Sequence, residues 1–316
     1  MERVEDKLRE PVHLYPQLTP ILQSLLDSGG KRLRPALALL AGGLFGAEQD
    51  RLVSLAAAVE MLHTATLVHD DLVDGALMRR GSETLNARWS TGATVLAGDY
   101  LFARAAALAA ETRHVRVITI FAQTLMVICS GELRQIFDRH YVPPLEGEEA
   151  WAQALQRYDE RIYAKTASLF AAATEAAAVL GSASEEQICA LRDYGQLLGT
   201  GFQIVDDLLD FQGDEATLGK PVGSDLREGI VTLPVLYYLR EHPDDQRIAA
   251  VVSRGGDDAL VADVVADIRS SGALALARDR ADGFVQRSQE ALAALPAGEY
   301  RNRMAALADY TVARRK

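Results

Sequence analysis

Three aspartates close one long apolar run in this chain, and a second trio closes another far downstream. The first is His69-Asp70-Asp71-Leu72-Val73-Asp74, followed after a short gap by Arg79-Arg80-Gly81. Leu55, Val59, Leu62, Ala65 and Val68 recur at helical spacing before it, which predicts a long buried helix ending at the aspartates. On such a helix Asp70 and Asp74 share a face. Carboxylates clustered there repel one another, and the negative end of the helix dipole adds to the repulsion, so a cation is expected to hold them. Mg2+ meets the need: it takes oxygen ligands, keeps several waters and is shared between carboxylates and phosphate oxygens. A single match to this spacing is usually a solvated acidic helix end. Here the pattern returns at Asp206-Asp207-Leu208-Leu209-Asp210, directly after Gly201-Phe202-Gln203-Ile204-Val205. Two such helix ends suit a bundle in which both walls of one cavity present carboxylates to a common metal cluster.

The rest of the chain is compatible with that bundle. Of 316 residues, 49% are hydrophobic and only 6% aromatic, with alanine and leucine dominant, which favours close helix packing over a sandwich of sheets. We expect an all-α protein, one large helical unit over residues 1–316, since no repeat, low-complexity block or linker divides it. A net charge of -11 leaves no basic surplus for nucleic acid. Cys129 and Cys189 lie in apolar settings without metal spacing and read as reduced core residues of a cytosolic protein. The charged first ten residues lack a signal-peptide core. The apolar runs at 35–46 and 167–181 are too short or interrupted to span a bilayer, so a soluble protein without a transmembrane segment is expected.

Basic and polar residues are spaced along the helices. Gly29-Gly30-Lys31-Arg32-Leu33-Arg34-Pro35 ends one helix and opens the next, leaving three cations at a helix start as an anion site or a solvated basic turn. His63 stands about two turns before Asp70, near enough to the same wall to donate to a second anion. His69 is expected to orient a carboxylate of the triplet. Gly98-Asp99 lies in an apolar run, so Asp99 is read as a buried carboxylate bonded to a neighbouring helix. Lys165-Thr166 opens an alanine-rich helix, where a cation beside a hydroxyl suits a diphosphate. Residues 213–228, including Lys220, read as a polar loop able to close over a site.

Taken together, Gly30-Lys31-Arg32-Leu33-Arg34-Pro35, His63, both aspartate triplets, Arg79-Arg80-Gly81, Gly98-Asp99, Lys165-Thr166, Gln203, Lys220 and Gly223-x-Asp225 resemble the all-trans polyprenyl diphosphate synthases along nearly the whole chain. The resemblance implies the isoprenoid synthase fold, with a central elongation cavity, and condensation of isopentenyl diphosphate with an allylic diphosphate. It implies three Mg2+ ions, with Asp70, Asp74 and Asp206 as direct ligands and Asp71, Asp207 and Asp210 in support. Arg79, Lys165, Thr166, Gln203 and Lys220 would hold the allylic diphosphate, and Lys31, Arg34, His63 and Arg80 the isopentenyl diphosphate. A homodimer is implied too. One departure is Ile230, where the family commonly has lysine. Chain length is set by what blocks the growing tail: Ala65 and Thr66 stand about one turn before Asp70, and Leu62 another turn down, where short-product members carry aromatic rings. These smaller side chains look most like the medium- and long-chain synthases of quinone side chains, with products of about C30 to C50. The alternatives are a farnesyl or geranylgeranyl synthase, a non-catalytic subunit of a heteromeric synthase, and a terpene cyclase of the same fold.

Overall fold

The computed structural model describes residues 1–10, 19–27, 30–79, 81–213, 222–254 and 258–313. Helix makes up 81% of the described residues, and the strands among them are a two-residue pair, Met78–Arg79 against Ser82–Glu83. The all-α expectation holds. The chain gathers into two compact units. One takes Met1–Leu125, Leu169–Gly195 and Ala291–Ala305; the other takes Met126–Ser168, Gln196–Glu290 and Ala306–Lys316.

The first unit is built around helix α4, Gln49–Val73. Its residues from Leu52 to Leu62 are buried without a break, so the helix has no wet face along that stretch. A helix apolar all round belongs inside a core. Around it pack α1 (Glu2–Leu8), α3 (Leu33–Leu44) and α6 (Thr91–Glu111). Ala56, Ala57, Ala58, Ala65 and Ala105 have no exposed surface, and their short side chains let the helix backbones approach. Tyr194 and Phe170 fill the same unit, the Tyr194 hydroxyl donating to the Met304 carbonyl at 2.9 Å.

In the second unit, α8 (Gly147–Ile162) and the end of α10 (Glu185–Gln212) share a core with the downstream helices. Trp151, Tyr158, Ile204, Leu208, Phe211 and Leu236 are among its buried members. Between α8 and α9 (Ser168–Leu180) the backbone widens into a π-helical turn, Tyr163–Ala167, in which the Ser168 N–H reaches the Tyr163 carbonyl. Turns of this kind are rare and concentrate at functional sites.

One expectation is corrected by the structure, and another is refined. Gln49–Val73, Thr91–Glu111 and Val115–Asp138 are each long and apolar enough to cross a bilayer by length and composition. Polar residues punctuate all three, so none stands out in the sequence as an uninterrupted apolar run. In the first, 78% of the most apolar stretch is buried inside the fold. Cys129 is exposed and Cys189 half-buried, so neither is a core thiol; helical phase, invisible in local composition, turns Cys129 outward.

Candidate active site

The first triplet lies where the helix pattern puts it. Helix α4 ends at Val73 with Asp74 as its C-cap, the Asp74 N–H bonded to the Asp70 carbonyl at 2.8 Å. Asp70 is half-buried and Asp74 exposed, whereas Asp71 is 6% exposed and turned inward. The Asp71 carboxylate accepts from Arg79 Nε at 2.6 Å. Burial raises the Asp71 pKa above the ordinary aspartate value, against the pull of Arg79. The short hairpin after the helix brings Arg79 back: Thr84 Oγ1 donates to the Ala76 carbonyl at 2.7 Å and closes the loop at its base. Arg80 lies outside the described residues.

His69 does something other than the sequence suggested. Its Nε2 lies 3.3 Å from the Val95 carbonyl and 3.5 Å from Asp99, and its ring tilts against Phe102. All three partners belong to α6, so His69 ties two helices together and orients no carboxylate of the triplet. A Cβ on Gly98 would fall 2.3 Å from His69 Nε2, so glycine there makes room for the ring. Asp99 has the neighbouring-helix partner expected of it, but its side chain is 58% exposed.

The basic turn divides its cations. Arg32, the N-cap of α3 in a left-handed conformation (φ 49°), donates to Glu5 at 2.7 Å, to the buried Glu60 at 2.9 Å and to the Leu26 carbonyl at 2.8 Å. It is a structural clasp rather than one of three cations offered to an anion. Lys31 is exposed and Arg34 half-buried, with the Arg34 guanidinium 4.7 Å from the Phe170 ring centre. His63 and Thr66 are half-buried, while Leu62 and Ala65 have no exposed surface.

The second unit holds the other half of the candidate residues. Of Asp206, Asp207 and Asp210, Asp206 is exposed and the others are buried. Asp207 accepts from the Tyr158 hydroxyl at 2.7 Å and from Gln203 Nε2 at 2.9 Å, and Gln203 Oε1 accepts from Thr166 at 2.6 Å. Burial pushes Asp207 up to about 6 although both donors pull it down. Asp210 accepts from Ser224 Oγ at 2.6 Å and from the Asp225 N–H at 3.2 Å. That pins the short helix Ser224–Arg227, with Leu226 fully buried. The later part of the expected loop is therefore anchored; Lys220 and residues 214–221 lie outside the described residues. Lys165, in the π-helical turn, stands 3.3 Å from Glu132. Gly131 permits that approach, since a Cβ on it would lie 2.4 Å from the Ala164 Cβ.

Sequence reasoning missed Tyr158 altogether. It sits on the buried face of α8 with Trp151, Ala154 and Ile162, and an aromatic on an apolar face carries no local sign that its hydroxyl caps a carboxylate on another helix. Among the described residues, no three His, Cys, Asp or Glu side chains converge into a closed metal cage. Exposed aspartates in ones and twos, with oxygen donors only, fit a Mg2+ ion that completes its octahedron with waters and phosphate oxygens.

A model of the polyprenyl synthetase family matches residues 15–268. The chain belongs to the polyprenyl synthetase family. Over 293 residues it is 39% identical to the octaprenyl diphosphate synthase of Haemophilus influenzae, covering 92% of this chain and 86% of that protein. It is 38% identical to heptaprenyl diphosphate synthase component 2 of Geobacillus stearothermophilus, covering 97% and 93%. A crystal structure of a decaprenyl diphosphate synthase from Rhodobacter capsulatus superposes with a TM-score of 0.89 at 39% identity, covering 99% of this chain and 95% of that one. As a polyprenyl synthetase it has the all-helical isoprenoid synthase fold and is a prenyltransferase.

Proposed function

We propose that this polyprenyl synthetase condenses isopentenyl diphosphate with an allylic diphosphate, with Mg2+, to make an all-trans polyprenyl diphosphate of about C30 to C50 for quinone side chains. The observation that carries the reading is the pair of complete aspartate triplets, each near the end of a long helix and each with an exposed aspartate: Asp74 on one, beside the half-buried Asp70, and Asp206 on the other. Asp70, Asp74 and Asp206 would hold three Mg2+ ions, which when bound neutralise the charge gathering on the departing diphosphate. The chain's own cations share that work: Lys165, Arg79 and Lys220 at the allylic diphosphate, with Thr166 and Gln203 beside them, and Lys31, Arg34, His63 and Arg80 at isopentenyl diphosphate. The allylic carbon, once its C–O bond ionises, is attacked by the double bond of isopentenyl diphosphate, and the departed diphosphate takes a proton from the adjacent carbon to regenerate an allylic product. Water must be kept out, or the cation becomes an alcohol.

The relatives' names support the longer products, and the small side chains of Ala65 and Thr66, with Leu62 rather than an aromatic ring another turn down, agree with them. A homodimer is supported by apolar residues on helix Val115–Asp138 that stand in solvent, among them Val115 (80% exposed), Met126 (62%) and Phe137 (81%). One relative's name, a synthase component, favours a second reading in which this chain works only with a different subunit. The cytoplasm is the expected compartment.

Incubation of the purified chain with Mg2+, isopentenyl diphosphate and a series of allylic primers, with chromatography of the products, tests the reading. Products of about C30 to C50 from the chain alone are expected on the tail-blocking argument. Products ending at C15 or C20 would overturn the length, and no turnover until a partner is added would favour the heteromer.

A further inference from the structure

Four side chains in the second unit form one unbroken hydrogen-bonded chain, Tyr158 to Asp207 to Gln203 to Thr166, with links of 2.7, 2.9 and 2.6 Å. Tyr158, Thr166 and Asp207 are 2%, 5% and 4% exposed, so water competes weakly for these bonds. The direction of each bond is fixed by the one before it. Asp207 accepts at both oxygens, which requires Gln203 to turn its NH2 inward and its carbonyl oxygen toward Thr166. The Thr166 hydroxyl proton is then spent on that oxygen. What remains for an anion is the second N–H of the Gln203 amide; Thr166 offers lone pairs, which a diphosphate repels.

The backbone is arranged to make this chain close. Tyr158 lies on α8 and Thr166 within the π-helical turn that follows. Eight residues apart on an ideal α-helix, they would be rotated away from one another by most of a right angle. A turn closed by i to i+5 bonds advances less per residue and brings them back toward one face. The π turn and the buried tyrosine are thus parts of one device.

We propose that Tyr158 is a positioning residue for the allylic diphosphate: through Asp207 it locks the Gln203 amide with an N–H presented outward and withholds the Thr166 proton. The proposal rests on the function put forward above. Tyr158→Phe removes one oxygen from a buried site and keeps the ring. Loss of one directing bond of this kind raises the KM for the allylic diphosphate about tenfold, leaves the KM for isopentenyl diphosphate within about twofold, and changes kcat little. Thr166→Val breaks the far end of the same chain, and in the double variant the allylic KM rises no further than in the worse single one, because both changes release the same amide.

An unchanged allylic KM in a Tyr158→Phe protein that still melts near the wild-type temperature overturns the proposal, as do multiplying effects in the double variant or an equal rise in both KM values. Should Tyr158→Phe not fold, Tyr158→Met supplies the same comparison, since it too lacks the hydroxyl that Asp207 accepts from while filling much of the ring's space: a rise confined to the allylic KM supports the proposal and no such split overturns it. If the wild-type chain turns over no substrate, the functional reading has failed, whereas normal wild-type turnover with an indifferent Tyr158→Phe variant removes only Tyr158 from the account.

Discussion

Arg32 and Glu60 illustrate how a residue's surroundings change its meaning. Both are charged, Glu60 is 4% exposed, and their 2.9 Å pair sits among α1, α3 and α4. Removing one member of a buried pair strands the other, which costs about 3 to 5 kcal/mol, more than the pair itself contributes. Arg32→Ala is expected to lower unfolding free energy by about 3 kcal/mol in urea titration, with substrate KM values little changed in the fraction that folds. Asp245 gives a pH-dependent case. It accepts from Arg247 and from the Tyr238 hydroxyl, and those bonds, the Arg247 ones first, bring it down to about 2. The folded value lies below the unfolded one, so its stabilisation is complete above about pH 4 and disappears as pH falls through 2, with a size of about 2 kcal/mol. Asp245→Asn should therefore unfold more readily than wild type at pH 7, with the gap closing toward pH 2 in thermal scans.

At the scale of elements, the π-helical turn and the helix behind it depend on an absent methyl group. Helix α7, Val115–Asp138, reaches Ala164 of the turn through Gly131, where a Cβ would fall 2.4 Å from the Ala164 Cβ. Neither atom can swing aside, since both are fixed to backbone. Gly131→Ala must push the turn away from α7 and, with it, the Lys165 ammonium from Glu132 and Thr166 from Gln203. Overpacking of this kind costs about 1 to 3 kcal/mol. Calorimetry should record a lower melting temperature and steady-state assays a raised allylic KM.

For the whole molecule, the length of the product is the property that no single element owns. Leu62 and Ala65 are fully enclosed, so a phenylalanine at either would have to displace core packing, whereas Thr66 is half-buried and its hydroxyl donates to the His63 carbonyl of its own helix. Thr66→Phe is thus the substitution expected to shorten the product by one or more five-carbon steps with the least loss of stability, measured by chromatography beside a melting curve. The two acidic triplets make a matching prediction. Asp70→Ala and Asp206→Ala should each abolish condensation while the circular dichroism of the helices is unchanged; near-normal turnover by either would remove that residue from the metal site.

The helices, the acidic ends of two of them, and the family were legible in the residues themselves, because period, caps and motif spacing are local properties that hold wherever the chain goes. Asp70 and Asp74 fall on one helical face by arithmetic, and Gly30 through Pro35 mark a helix start by their backbone preferences. What local pattern left open was the partner of each polar side chain. Three adjacent cations became one clasp and two candidates for anions only when Glu5 and Glu60 arrived from other helices; His69 turned to α6, and Tyr158 joined Asp207 across 49 residues of sequence. Helix formation is decided within a few residues, whereas a buried hydrogen bond is decided by which helices pack together, and that depends on the core as a whole.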